Sequence, residues 1–321
     1  QYGVFIKGVE RALVESHIPY GFIPDLDFTR ESLRGIQTLV LPNAAYMSDE
    51  QIEIIRAYVR DGGGLVASFE SSLYDEKGRR RTDFGLGDVF GVSFTGMRKD
   101  TSFDCYQLIR KNHPVLEDMG AEETSVLMNE GCTLLCKPIK GKEDGMVCSY
   151  VPMIYNQPPE YAWIPEMRTE FPTIMENTYG KGKVIYFANQ TDKLIFTNGH
   201  EDFWHTFINA VTWTKKEEFS LWVKAPTSVH VVLMENKDHP EQKVISFVNT
   251  TGGWSRPLRS ICPVYDIEAL VTLKEGGTLE TTIMEGEGAI AVEEVKQNGK
   301  AMARIMVREL KDFAAVSIRE G

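Results

Sequence analysis

Along the first third of the chain, apolar residues switch between a helical and a strand-like spacing. In "QYGVFIKGVERALVESHIP", Phe5, Val9, Ala12 and Leu13 fall on one helical face, and Pro19 ends the run. "YGFIPD" over 20–25 predicts a short strand, and "TRESLRG" over 29–35 a helical turn. "IQTLVLPN" over 36–43 predicts a buried strand broken by Pro42 and Asn43. "SDEQIEIIRAYVRDGGG" over 48–64 carries the strongest helical signal. Ser48 is placed as N-cap, Gln51 completes a capping box, Ile52, Ile55 and Val59 form the apolar stripe, and Gly62 closes the helix. "LVASF" over 65–69 is the next buried strand. Strands alternating with helices at these lengths predict a parallel sheet with right-handed crossovers.

Beyond that the pattern is more varied. "RTDFGLGDVFGVSF" predicts a short amphipathic helix capped near Gly91, and the stretch over 95–175 is rich in turns. "FPTIMENTYGKGKVIYFANQ" predicts two strands joined at "YGKGK"; a strand follows the glycines where a phosphate loop needs a helix. "HEDFWHTFINAVTW" predicts a helix with Phe203, Phe207 and Ala210 inward. From about Glu217 onward only short alternating strands and turns follow, the signature of a small antiparallel sandwich. The expected division is an α/β domain over 1–216 and an all-β domain over 217–321.

Composition narrows the function classes. Of 321 residues, 42% are hydrophobic and 25% charged, ordinary for a globular protein, and the net charge of −11 speaks against nucleic acid. No apolar run reaches the length of a membrane span. The five cysteines contain no CxxC pair, and the six histidines are scattered. They suggest buried thiols rather than a metal site or a disulfide scaffold, so no cofactor is expected and a reducing, cytoplasmic compartment is favoured. The chain opens at Gln1 and runs almost directly into a helix. An α/β layout normally begins with a strand, so the expectation is a piece of a longer polypeptide.

The run "LVLPNAAYMSDEQIEIIRAYVRDGGGLVASFESSLYDEKGRRRTDFGLGDVFGV" resembles the trimerisation domain of family 42 β-galactosidases and related glycoside hydrolases. So does "YGKGKVIYFANQTDKLIF", followed by the helix ending in "NAVTW". The resemblance covers about Tyr2 to Trp213, with a C-terminal sandwich of the kind that follows in those enzymes. It implies a flavodoxin-like fold of the class I glutamine-amidotransferase type, its first strand missing here. It also implies a homo-oligomer, a trimer in the family 42 enzymes. The catalytic glutamates of those enzymes lie on an N-terminal (β/α)8 barrel that is not in this chain, and carbohydrate is the substrate of that barrel.

The elbow after "LVASF" is the candidate for chemistry. An amidotransferase needs a cysteine there with histidine and glutamate partners, and this chain offers Glu70, Ser71 and Ser72. His200 or His205 could serve as a base on paper, but no G-x-S-x-G pattern accompanies the serines. Glu70, Asp75 and Glu76 could form a carboxylate cluster. Alternatively the polar loop folds on itself through pairs with Arg79, Arg80 and Arg81, or faces a neighbouring barrel or subunit and lines its sugar pocket with Tyr74. Tyr161 and Trp163, in "NQPPEYAWIPEM", are candidates for carbohydrate or interface contact, while Trp213, Trp222 and Trp254 are expected to be packing residues. The expected function is the non-catalytic C-terminal region of a glycoside-hydrolase-like protein. An independent hydrolase using the elbow and a carbohydrate-binding module are the alternatives.

Overall fold

The computed structural model describes residues 2–101, 105–152, 158, 160, 164, 166–236, 238–253, 260–274, 279–286 and 288–321. It divides into two compact units, Gln1–Ala12 with Phe22–Glu217 and Leu13–Gly21 with Glu218–Gly321.

The first unit is a mixed α/β layer structure. Helix α1 spans Tyr2–Glu15, β1 Thr38–Leu41, α2 Asp49–Arg60, β2 Gly64–Ser68 and α3 Gly87–Phe90. Strands β3 (Val92–Thr101), β4 (Tyr106–Ile109), β5 (Val126–Met128), β6 (Gly131–Pro138) and β7 (Met146–Val151) follow. β8 (Pro172–Tyr179), β9 (Gly182–Phe187), α4 (Thr191–Thr197) and α5 (Glu201–Thr214) complete the unit. The main sheet runs β1-β2-β9-β8-β7-β4-β5, and β3 pairs with β6 apart from it.

In the main sheet β1, β2 and β9 run parallel. From β8 outward every pairing is antiparallel, so the expected parallel sheet is a mixed one. The hairpin at Gly180 and Lys181 is the physical reason, because so tight a connection returns the chain antiparallel. A Cβ at Gly182 would sit 2.3 Å from the Val59 carbonyl oxygen and 2.4 Å from that of Gly63, so the hairpin seats on the end of α2 only without a side chain.

Helix α2 forms as its sequence dictates. The Ser48 hydroxyl accepts from Gln51 N, and the Gln51 side chain accepts from Ser48 N. Ile52, Ile55 and Val59 are buried in a core with Leu39, Leu41, Leu65, Ala67, Val184 and Tyr186. Gly91, left-handed at φ 77°, caps the single turn of α3. Among the described residues the stretch over 95–175 holds β4, β5, β6 and β7 and parts of β3 and β8, more regular than its turn-rich sequence suggests.

The predicted strand over 20–25 is not one: the segment belongs to none of the strands and passes into a 3-10 turn at Asp25–Asp27. Pro19 precedes it and Pro24 lies within it, each without an N–H to donate.

In the second unit β10 (Leu221–Lys224), β11 (Val229–Glu235), β12 (Gln242–Asn249) and β13 (Val264–Thr272) are followed by β14 (Leu279–Glu285), β15 (Ile290–Gln297), β16 (Lys300–Leu310) and β17 (Phe313–Glu320). They form two four-stranded antiparallel sheets, β10-β13-β16-β15 and β11-β12-β17-β14. Alternate residues face a shared core of Ile267, Ala269, Ile305 and Val307 from one sheet and Ile245, Phe247, Val316 and Ile318 from the other. Lys243 Nζ meets Glu320 at 2.6 Å in a buried pair. His17 Nε2 donates to the Val229 carbonyl at 2.8 Å. Trp222 stands half exposed on edge strand β10, contrary to the packing role expected of it. Trp213 does pack, against His113 and beneath the Lys183 ammonium.

Among the described residues no helix is long and apolar enough to cross a membrane. Among the described residues no group of three metal-ligating side chains assembles. Cys105, Cys132, Cys136 and Cys148 are buried free thiols, and burial raises Cys136 and Cys148 above the usual thiol value; Cys262 is exposed.

Candidate functional site

The site lies where β1 and β2 end together, since parallel strands deliver their C-terminal loops to one edge of the sheet. The first residue past β2 is Phe69, with φ 50°, a left-handed conformation that costs a phenylalanine energy. Its surroundings hold it there. Phe69 N donates to Phe187 O at 2.7 Å, the Tyr186 hydroxyl donates to Phe69 O at 2.6 Å, and the ring stacks near Phe5 with centroids 6.4 Å apart. A strained residue straight after a strand is the backbone device that exposes a nucleophile in strand–turn–helix enzymes. Here that position is occupied by an apolar side chain that is 2% exposed.

The two serines of the elbow are likewise committed to structure. Ser71 and Ser72 are both fully buried. The Ser71 hydroxyl lies 2.7 Å from Ser68 O and 3.1 Å from Leu41 O, and it accepts from Ala44 N at 3.1 Å. Ser72, left-handed at φ 64°, accepts from Leu86 N at 3.0 Å. Neither hydroxyl is open to a substrate. The two histidines considered as bases serve helix α5: His200 Nδ1 accepts from Asp202 N as N-cap, and His205 pairs with Glu201.

Glu70 differs from its neighbours. Its backbone N–H donates to Asn43 Oδ1 at 3.2 Å, and its carboxylate lies 3.4 Å from Arg98 on β3. Burial raises the carboxyl above its usual value, against the opposing pull of Arg98, Arg80 and a hydrogen bond from Tyr74. The register of β3 against β6 shifts between Phe94 and Met97, a bulge that re-aims the strand beside Glu70. Arg98 also stands over the Phe69 ring at 5.4 Å, and Arg80 over the Phe94 ring at 5.1 Å.

The loop after the elbow is folded on itself. Asp75 accepts from the backbone N–H groups of Lys77 and Arg79 and from the Arg79 side chain at 2.6 Å. The Arg79 and Lys77 donors hold its carboxyl below the usual range. Arg81 reaches Asp49 at 2.7 Å and Met47 O at 3.0 Å. Single-residue bridges tie Tyr46 to Tyr74 and Tyr74 to Arg80, so three loop segments form one rigid patch. On it the Tyr46 and Tyr74 rings lie 5.4 Å apart, and Tyr46 is 65% exposed.

The structure thus brings Glu70, Tyr74 and Arg80 to one place and adds Tyr46, Asn43 and Arg98, which sequence reasoning missed. It sets Asp75 and Arg79 apart as a local pair and turns Ser71 and Ser72 inward. Asn43 was visible in sequence only as a breaker, and Arg98 lies 28 residues from Glu70 with no local signal. Tyr161 and Trp163 lie outside the described residues.

A second cluster lies apart from the elbow. A cleft of about 450 Å³ is lined by Lys111, His113, Leu116 and Asp118 among others. At its wall His113 Nε2 lies 2.6 Å from Glu176, which Lys111 also pairs. Burial would raise the Glu176 carboxyl, but hydrogen bonds from His113 and Lys111 and their charges outweigh it and bring it down to about 2.

A family model of the beta-galactosidase trimerisation domain matches residues 11–203. Among solved structures, the fold is similar to that of the alpha-L-fucosidase isoenzyme 2 of Paenibacillus thiaminolyticus, with a TM-score of 0.71 and 16% identity over 99% of this chain and 45% of that one. It is similar to the beta-galactosidase of Bacillus circulans sp. alkalophilus, with a TM-score of 0.61 and 13% identity over 99% of this chain and 37% of that one. For the beta-galactosidase of Rahnella sp. R3 the TM-score is 0.58 and the identity 15%, over 99% and 36% of the two chains. The chain therefore spans less than half the length of each of these structures, and at such identities the likeness is one of fold. No curated protein matches the sequence.

Proposed function

Because the chain belongs to the family of the beta-galactosidase trimerisation domain, we propose that it is the non-catalytic assembly region of a glycoside-hydrolase-like protein. Its α/β unit joins copies of the parent, and its elbow loop faces the sugar site of a barrel or of a neighbouring subunit. The observation that carries the non-catalytic part is the elbow itself. Its strained position holds Phe69, and the serines that follow are buried and engaged by the backbone. An amidotransferase-type or serine hydrolase needs an open nucleophile at that point with a base in reach. Among the solved structures similar to this chain, two beta-galactosidases and an alpha-L-fucosidase support a carbohydrate-acting parent.

The test has two arms on the purified chain. Sedimentation velocity over a range of concentrations is expected to show self-association, and a panel of aryl glycosides is expected to show no hydrolysis. A monomer at every concentration overturns the assembly role. Hydrolysis that Glu70→Gln abolishes overturns the non-catalytic one.

A further inference from the structure

We propose that the patch formed by Tyr46, Tyr74, Glu70 and Arg80 is a saccharide subsite carried by this chain itself. The proposal rests on the carbohydrate reading above and deepens it by naming which residues meet the sugar.

The argument begins with exposure. Tyr46 turns most of its surface to solvent although it belongs to a segment with fixed backbone. Met47 N donates to Tyr74 O at 3.0 Å and Tyr74 N to Ala45 O at 2.9 Å. Arg81 N donates to Leu73 O at 2.9 Å. An exposed ring, Tyr46, backed by the half-buried Tyr74 on so rigid a support loses little freedom on meeting a ligand. The two rings are tilted by 35° with centroids 5.4 Å apart, an apolar surface on which the C–H face of a pyranose can stack.

The polar groups beside them select the ligand. Glu70 only accepts hydrogen bonds when ionised, and Arg80 only donates. A neutral polyol both donates and accepts, so adjacent hydroxyls of one sugar ring satisfy both groups. An anionic ligand gains less, because Glu70 already offsets the arginines beside it. Three backbone features aim these side chains at one point: the left-handed turn at Phe69, the bridges through Tyr74, and the bulge in β3. Because Phe69 itself is anchored in the core and Tyr74 and Phe94 pack against it, these features hold a small preorganised site at the edge of the parallel strands.

Saturation-transfer NMR on the chain tests this, with D-galactose and L-fucose as probes. Irradiation of the aromatic envelope is expected to transfer to the C–H protons of at least one sugar. Tyr46→Ala is expected to weaken the affinity by about tenfold without lowering Tm, because the ring is exposed. Glu70→Gln, which keeps the shape, is expected to weaken it as well. No transfer to either sugar, or equal affinity in Tyr46→Ala, overturns the proposal. Sedimentation of the same samples keeps the two readings distinct. If Tyr46→Ala breaks the assembly and no sugar binds, the patch is a subunit contact; the saccharide proposal fails and the assembly role stands. If sugar binds and the chain never self-associates, the assembly role fails and the subsite stands.

Discussion

The Ser68 hydroxyl at the end of β2 donates to Asp192 Oδ2 at 2.6 Å, and Ser68 Oγ accepts from Asn43 N at 2.9 Å. Asn43 Oδ1 in turn accepts from Glu70 N. A buried carboxyl at the start of α4 is therefore linked through β2 and the end of β1 to the elbow. Lys193 N donates to its Oδ1 at 3.0 Å.

Burial without a cation raises Asp192 from 3.8 to about 7, although Ser68 and the backbone donors oppose the rise. An acid raised on folding keeps a proton that the unfolded chain releases. Stability is thus highest below about pH 4 as far as this group is concerned, falls as pH rises from 4 to 7, and stays lower above. Asp192→Asn cannot ionise and retains an acceptor for Lys193 N. Its Tm relative to wild type is expected to climb between pH 5 and pH 8. Thermal unfolding at four pH values across that range checks it; a pH-independent difference contradicts it.

Glu176 has the opposite sign. Hydrogen bonds from His113 and Lys111 bring its carboxyl to about 2 despite burial. Its contribution is complete above the ordinary value of 4.5 and is lost as pH falls towards 2. Glu176→Gln is expected to be less stable than wild type at pH 7, with the gap closing on acidification. Chemical denaturation at pH 7, 4 and 3 measures the gap, and a constant one removes the inference.

Ser71 gives a prediction that separates structure from chemistry. Its hydroxyl serves Ala44 N, Leu41 O and Ser68 O with no exposure. Ser71→Ala leaves a buried N–H unpaired and is expected to cost about 1–3 kcal/mol of stability. A nucleophile would behave the other way, with activity lost and stability kept. Urea midpoints of the two proteins, with equal m-values, decide between these outcomes.

Local chemistry in the sequence accounts for some elements and not others. Ser48, Gln51 and the stripe through Val59 define α2 because cap and periodicity both lie within twelve residues. The hairpin at Gly180 and the sandwich strands are legible for the same reason. The segment over 20–25 has strand-like residues, but a strand also needs a ladder partner, and partner choice is not local. The short helix α4 was hidden in a motif noticed only for its resemblance. At the site, Glu70 and Tyr74 were readable as polar and aromatic residues after a buried strand. Arg98 was not, since a bulge in a distant strand pair brings it there. The serines misled because a hydroxyl at an elbow looks the same in sequence whether it faces a substrate or the backbone.

Phe69 offers the sharpest check on the elbow. Its ring is buried among Phe5, Tyr186 and neighbours, so any truncation is destabilising, by about 3–5 kcal/mol for loss of the whole side chain. The backbone adds a second, opposite effect that Ala and Gly separate. At an ordinary position glycine is less stable than alanine by roughly 0.5–1 kcal/mol, because it frees the unfolded chain. At φ 50° the alanine Cβ is strained in a left-handed conformation that glycine adopts without penalty, a difference of about 1–2 kcal/mol in glycine's favour. The second effect is the larger, so Phe69→Gly is expected to match or exceed Phe69→Ala in stability. Equilibrium unfolding of both variants measures the order. If alanine is clearly the more stable, the left-handed turn after β2 is absent in solution, and with it the device that aims Glu70.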